Sequence, residues 1–328
     1  MGFLRFAVSG NYKRFYGNLK EIGKKEHKWA PAMFCDAAFC ALVFGSGLAD
    51  YLNYKFYNRT FAEKKRYATI RVQDKFYEKV NPSEFKKTFT VKPNFMRKFS
   101  KYTGRDFFDP AENDVAGLEK FLAANPVFMQ KPIDGLGGHD VTKVNAADIA
   151  DVNEYYEKLR SERLFADGYI IQHDDINAIC AKSVNTIRIM TSVASGKPRV
   201  IYAALRVGNG SANVDNFHGG GMGVSIDAET GKLVGNAVDK DLKEFERHPA
   251  TNLKFDGWQL PFWKEINDTV CEAALVEPRI KVVGWDVAVT PDGPVLVEGN
   301  RRPGFDLIQV LSDCGRRDII DGVLDEIH

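Results

Sequence analysis

The chain has 328 residues, 44% of them hydrophobic, and 45 Lys and Arg nearly balance 44 Asp and Glu to give a formal net charge of +1. That length and composition describe an ordinary globular protein of one large domain or two to three small ones, without internal repeats or low-complexity tracts. The charge is segregated: residues 55–101 hold fourteen Lys or Arg against four acids, about +10, which leaves about −9 for the remainder. Such a stretch reads either as the solvated faces of helices or as a surface for phosphates, an anionic polymer or a membrane. No DNA- or RNA-binding motif pattern accompanies it, so no nucleic acid partner is expected.

From Asn11 to about Arg71 the pattern is helical, with aromatics three to four apart, as in Tyr51, Tyr54, Tyr57 and Phe61. The most apolar run, Ala30 to Leu52, is broken by Asp36 and Asp50 and contains Gly45 and Gly47, which predicts a buried helix or helix pair rather than a membrane span. No export signal or myristoylation motif is read in MGFLRFAVSGNYKRFYG. Cys35, Cys40, Cys180, Cys271 and Cys314 form no C-x-x-C, so they are read as reduced thiols and the protein as cytoplasmic. Pro93 to Asn125 predicts two helices, the second entered through Asp109-Pro110 or Asn113 and ended near Asn125-Pro126. Beyond Pro126 strands are predicted at 127–132 and 141–144, a helix over 146–165 opened by Asn145, and a strand at 168–172. From Val184 onward strands dominate, interrupted by a helix from about Trp263 to Leu275. Helices first and a largely antiparallel sheet afterwards argue for an α+β fold with several subdomains.

Several residues in this frame suit phosphate chemistry. Lys131 lies on a strand just before a loop containing Gly135, Gly137 and Gly138. Glycines let backbone N–H groups approach phosphate oxygens, and a lysine supplies a point charge. The loop is neither a Walker A motif nor a dinucleotide fingerprint, and a plain hairpin turn has the same composition. Arg188 and Arg206 stand in otherwise apolar strands, where a guanidinium demands an anion, either a carboxylate of the fold or a bound phosphate.

The segment KVVGWDVAVTPDGPVLVEGN reads as a hairpin. A three-residue turn Pro291-Asp292-Gly293 with Gly293 left-handed would set Asp286 opposite Glu298. Alternation then places Asp286, Glu298 and Asn300 on one face and Val283, Trp285, Val287, Val289, Val295 and Val297 on the other. Two carboxylates and an amide oxygen suit Mg²⁺ better than Zn²⁺. Two acids at solvent-facing hairpin positions would look the same. If both occupy a polar face, replacing either with alanine is expected to remove the metal and leave the fold intact.

Lysine before a glycine loop, a Gln172-His173 strand end, N-T-x-R, a second strand arginine and D…E-x-N together resemble the ATP-grasp enzymes. The resemblance is narrower to the sugar-transfer-associated ATP-grasp branch, related to alpha-L-glutamate ligases. It runs from about Asp50 to Gln309 and is densest in SVNTIRIMT, RVGNGSANVDNFHGGG, TGKLVG and GWDVAV…PVLVEGNRRPGFDLIQ. It implies two α+β subdomains clasping ATP, with a helical region at 1–105, a small subdomain with the glycine loop at 106–173 and a large one with the metal site at 174–328. Lys131 and the glycines at 135–138 would meet the nucleotide, and the backbone around Ile171 to His173, including Gln172, would meet the adenine edge. Lys92 resembles an earlier phosphate-reaching lysine, with Lys98 as its rival. Arg188 and Arg206 would face the transferring phosphate, Arg302 an acidic substrate, and Asp286, Glu298 and Asn300 one or two Mg²⁺. Asp286 stands where many ATP-grasp enzymes carry Glu. The implied activity joins a carboxylate and an amine through an acyl phosphate. The family name suggests a sugar or uronic acid as one partner, free or lipid-linked, and an amino acid as the other, in surface polysaccharide synthesis. Peripheral membrane contact fits the basic segment. A sugar kinase, using Asp306 or His218 as base, and a non-catalytic nucleotide module are the alternatives.

Overall fold

A computed structural model describes residues 12–134, 141–210 and 220–327. The chain divides into two compact units, Met1–Asn81 with Gly304–His328, and Pro82–Pro303. The first unit is helical. Its segments Tyr12–Lys25, Ala30–Val43, Leu48–Asn53 and Ile70–Val80 are joined by Asp306–Leu311 and Arg317–Asp325 from the C-terminal end. Buried Phe15, Tyr51, Tyr54, Phe56, Tyr67, Phe76, Tyr77 and Phe305 fill it with aromatic contacts. Ala30–Val43 and Leu48–Asn53 are the expected helix pair, and the chain reverses between them at Gly45, whose φ is +67°. Among the described residues no helix is long and apolar enough to cross a membrane. Tyr51, Tyr54, Tyr57 and Phe61 do not share a helix, contrary to their spacing. Lys55 takes a left-handed conformation, φ 52°, and a short 3₁₀ turn follows, so Tyr51 and Tyr54 enter the core, Tyr57 packs against Tyr51, and Phe61 stays exposed.

The second unit contains two antiparallel sheets. Strands β1 (Phe107–Phe108), β2 (Val127–Pro132), β3 (Thr142–Asn145) and β4 (Leu164–Gly168) form the smaller, in the order β1-β4-β2-β3. Its core joins Phe108, Phe128 and Ala166 to Leu118 and Phe121 of helix Val115–Ala124 and Leu159 of helix Val152–Ser161. These helices begin later than predicted because Asp114 and Asp151, rather than Asn113 and Asn145, accept the first-turn amides. The strand predicted at 168–172 ends at Gly168.

Strands β5 (Thr186–Ser192), β6 (Arg199–Val207), β7 (Met222–Ile226), β8 (Leu233–Asp239), β9 (Glu244–Phe245), β10 (Val282–Thr290) and β11 (Gly293–Asn300) form the larger sheet, ordered β11-β10-β5-β6-β7-β8-β9. Helix Trp263–Ala274 buries Ile266, Val270 and Ala273 in the same core as Ile187, Ile189, Leu205, Trp285, Val287 and Leu296. Each large apolar side chain so enclosed contributes about 1.5–3 kcal/mol.

The expected boundaries near 105 and 173 are not where the compact units divide. Residues 82–105 belong with the sheets because Phe89, Phe95 and Phe99 close around Trp285. The segment 304–327 belongs with the first unit, where Phe305 packs on Phe76 and Tyr77. Gln309 also accepts from the Ala68 amide at 2.7 Å.

Candidate functional site

β10 and β11 reach the predicted register by a different route. Thr290 pairs with Gly293 around a two-residue turn, a pattern that by itself would set Asp286 opposite Val297. A bulge between Asp286 and Val287 inserts one residue, and Asp286 faces Glu298 after all. Between the turn and the bulge, the two-residue turn shifts the apolar face of β11 by one residue. Leu296, fully buried, joins Val287 in the core, whereas Val295 and Val297, expected there, are half-buried. Asn300 lies opposite Gly284, two residues along the same face as Glu298. On the other side of β10, Arg188 pairs with Asp286.

Asp286 is only 3% exposed, so it does not lie on a polar outer face. Arg188 Nε approaches its Oδ1 at 3.0 Å, and Arg206 Nη2 donates to its Oδ2 at 2.6 Å. Arg206 is itself fixed by donating from Nε and Nη2 to Thr186 Oγ1, at 3.1 and 2.7 Å. Burial pushes the Asp286 carboxyl up, but the charges of Arg188 and Arg206 outweigh burial and hold it below the usual carboxylate range. Two polar atoms in this cluster, Asp286 Oδ1 and Arg188 Nη1, are buried without a hydrogen-bond partner. The oxygen is held by the Arg188 ion pair alone and keeps lone-pair capacity for a cation, while the guanidinium nitrogen invites an anion.

Glu298 differs from Asp286. Its residue surface is open, yet crowding around the carboxyl and then the Asp286 charge push it up to about 7. Two carboxyls face to face resist both being ionised, and a divalent cation relieves that repulsion. Asn300 Oδ1 accepts the Arg302 amide at 2.8 Å and keeps a second lone pair. Asp286 Oδ1, Glu298 and Asn300 Oδ1 therefore fit Mg²⁺, a hard ion that takes one or two carboxylates. Among the described residues no group of three His, Cys, Asp or Glu side chains gathers for a metal, in keeping with a two-acid donor set.

Lys131 is engaged within the fold. Its Nζ lies 2.9 Å from Oδ2 of the buried Asp167 on β4, which Arg105 Nε also reaches at 3.0 Å. Arg105 then donates through Nη1 and Nη2 to the Leu296 and Val297 carbonyls at the bulge, at 2.9 and 3.4 Å. A chain of contacts thus joins the glycine-loop strand to the metal-side hairpin. Neither Arg105 nor Asp167 was singled out from the sequence. The rule that flagged Arg188 and Arg206, a lone charge in an apolar strand, applies equally to Asp167 in LFADG.

Lys92 donates to the Pro132 carbonyl at 2.9 Å, and its backbone amide donates to Ile133. Burial lowers its proton affinity, while Glu298 acts in the opposite sense. Its rival Lys98 turns toward Glu277, 3.6 Å away. Gln172 is consumed by its own loop: it donates to Asn177 and accepts the Asn185 amide at 2.6 Å. The His173 amide donates to Val289, and its ring Nδ1 accepts the Asp175 amide. In the same segment the residues Tyr169 and Ile171 are exposed. Arg302 has an exposed side chain. Gly135, Gly137, Gly138 and His218 lie outside the described residues, and Asp306 belongs to the first unit.

The family model for sugar-transfer associated ATP-grasp proteins matches residues 57–323, and the chain belongs to that family. Membership gives it the ATP-grasp fold, and the chain spans less than two thirds of the length of the first curated relative and of the first solved structure that it matches. A stretch of 147 residues is 28% identical to penicillin-binding protein 1A of Rickettsia typhi, covering 43% of this chain and 18% of that protein. Among solved structures, the ATP-grasp ligase PsnB bound to a phosphomimetic precursor, Mg and ADP aligns with TM-score 0.47 and 14% identity, over 78% of this chain and 66% of that one. D-Cycloserine synthetase DcsG aligns with TM-score 0.47 and 9% identity, over 86% of this chain and 82% of that one. The D-alanine-D-alanine ligase of Coxiella burnetii aligns with TM-score 0.44 and 10% identity, over 75% and 59%.

Proposed function

We propose that the protein is an ATP-dependent, Mg²⁺-requiring carboxylate–amine ligase that activates its acid as an acyl phosphate. We further propose that it joins an amino acid to a sugar or uronic acid, free or lipid-linked, in cytoplasmic steps of surface polysaccharide synthesis. The observation that carries this reading is the buried Asp286 carboxylate, ion-paired through Oδ1 to Arg188 and through Oδ2 to Arg206, facing Glu298 across the strand pair, with Arg188 Nη1 left without a hydrogen-bond partner. Mg²⁺, held by Asp286, Glu298 and Asn300, would supply charge neutralisation of the phosphates. Arg188 offers a donor to the transferring phosphoryl group, and Arg206 holds Asp286 in position rather than reaching out. Lys92 and Lys131 supply positive charge to the phosphate chain. The backbone around Ile171 to His173, including Gln172, is assigned to the adenine edge. Arg302, exposed beside Asn300, is assigned to the acidic substrate.

The chemistry asks for no protein nucleophile. One γ-phosphoryl group moves from ATP to a carboxylate oxygen, releasing ADP. The amine then attacks the acyl carbon and expels inorganic phosphate, losing its proton to solvent or phosphate. Such a reaction depends on positioning and charge stabilisation, which a cluster of cations and oxygen donors provides. The test is incubation with Mg·ATP and panels of uronic acids and amino acids, read by mass spectrometry. Amine-dependent ADP release with an amide product supports ligation. A stable phosphosugar formed without amine rejects it in favour of a kinase.

A further inference from the structure

We propose that the first unit carries a second anion site, unrelated to the nucleotide site, that seats the phosphate headgroup of an anionic phospholipid at a bilayer surface. A cavity of about 810 Å³ lies between helices Ile70–Val80 and Arg317–Asp325. Arg71, Lys75 and Lys79 line it four residues apart, forming one stripe along the first helix. All three are exposed and form no ion pair among the described residues. The acids on the wall are already matched, Asp318 by Arg316 at 3.2 Å and Asp321 by Arg317 at 3.7 Å. Lys64, also on the wall, is neutralised by Asp36 at 2.8 Å. The cavity therefore keeps a surplus of positive charge.

A second observation selects a lipid as the source of that anion. Helix Ala30–Val43 carries no basic residue and one acid, and a helix apolar all round is ordinarily enclosed. Here Phe39, Leu42 and Val43 are 46%, 55% and 43% exposed, and Val43 with its neighbour Phe44 reaches the cavity wall. Phe61 extends the apolar ridge, 51% exposed and 5.1 Å from the Phe44 ring, with Lys65 over its face. An apolar ridge bordered by cations matches the interface of an anionic bilayer, where side chains enter the acyl boundary and lysines meet phosphates. A free phosphate would use the cations and leave the ridge without a role.

Sedimentation of the full chain with vesicles tests this. Phosphatidylcholine vesicles containing phosphatidylserine are expected to pellet the protein, and phosphatidylcholine alone is not. The triple substitution Arg71→Gln, Lys75→Gln, Lys79→Gln should weaken binding about a hundredfold, given about 1 kcal/mol for each basic residue near the surface. The pair Phe39→Ser, Leu42→Ser should weaken it too while leaving its salt dependence unchanged. Circular dichroism melting checks that both variants fold, and because two independent surfaces are altered, misfolding of one leaves the other decisive. Glu298→Gln, which disables the proposed nucleotide site, should bind vesicles like the parent, so failure of the ligase reading does not touch this one. Equal binding to neutral vesicles, unchanged binding by the triple variant, or binding of inorganic phosphate without any vesicle binding would each overturn the proposal.

Discussion

Asp286 and Asp167 are two buried carboxylates of the same unit, each gripped by two cations and each left with one buried oxygen lacking a hydrogen-bond partner. What separates them is the neighbour across the strand pair. Asp286 faces a second acid, Glu298, whereas Asp167 faces Met129. A carboxylate between two cations is a structural joint, and here Asp167 ties the glycine-loop strand to Arg105 and the β11 bulge. On the proposed reading, adding a second carboxylate whose proton affinity is raised would turn a similar joint into a place for a divalent ion. Arg188 and Arg206 then both neutralise Asp286 and set its orientation.

Breaking the comparison gives the largest effects. Asp286→Ala leaves Arg188 and Arg206 buried without their shared anion, which should cost about 3–5 kcal/mol of stability and abolish ADP formation. Chemical denaturation and an ADP assay read the two losses, and the first departs from the intact fold that an outer-face position would have implied. Asp167→Ala should cost a similar amount, about 3–5 kcal/mol, by stranding Arg105 and Lys131. Its melting temperature should still rise when Mg²⁺ and ADP are added; no rise would make Asp167 part of the metal site. Glu298→Gln should melt close to the parent in the absence of Mg²⁺ and lose the rise that Mg·ADP produces in the parent.

A pH series sharpens the contrast further. Burial and the Asp286 charge push Glu298 up to about 7 from the usual 4.5, so the native state should hold more protons than the unfolded chain between those values. Without metal, stability should fall as pH rises through that window and level off above about 7; Glu298→Gln should remove that component of the slope. A parent and variant with parallel slopes would contradict the raised value. The smallest effect is Arg105→Lys, which keeps the charge at Asp167 and loses the fork onto the Leu296 and Val297 carbonyls, about 1–2 kcal/mol by denaturation.

Much of this was legible in the letters. The strands at 127–132 and 186–192 carry their pattern openly, and the pairing of Asp286 with Glu298 follows from alternation around a Pro-Asp-Gly turn. The register came out right although the predicted turn was one residue too long, because a bulge supplied the missing residue. A bulge has no local spelling. It arises here where Arg105, distant in sequence, takes up the Leu296 and Val297 carbonyls. The same long-range dependence hid the division into units, since Phe305 and Trp285 choose their aromatic partners only once the chain is folded. The resemblance places the backbone around Ile171 to His173 at the adenine edge, and nothing in the local spelling shows how Gln172 and His173 are held. Their hydrogen bonds to Asn177, Asn185, Asp175 and Val289 depend on a turn that periodicity does not reveal.

Calorimetric titration of Mg·ADP into the parent and Glu298→Gln is the most direct test of the two-acid site. The account predicts that the parent binds ADP more tightly with Mg²⁺ than without it, and that the variant binds ADP equally in both conditions. Retention of the full Mg²⁺ enhancement by Glu298→Gln would contradict it.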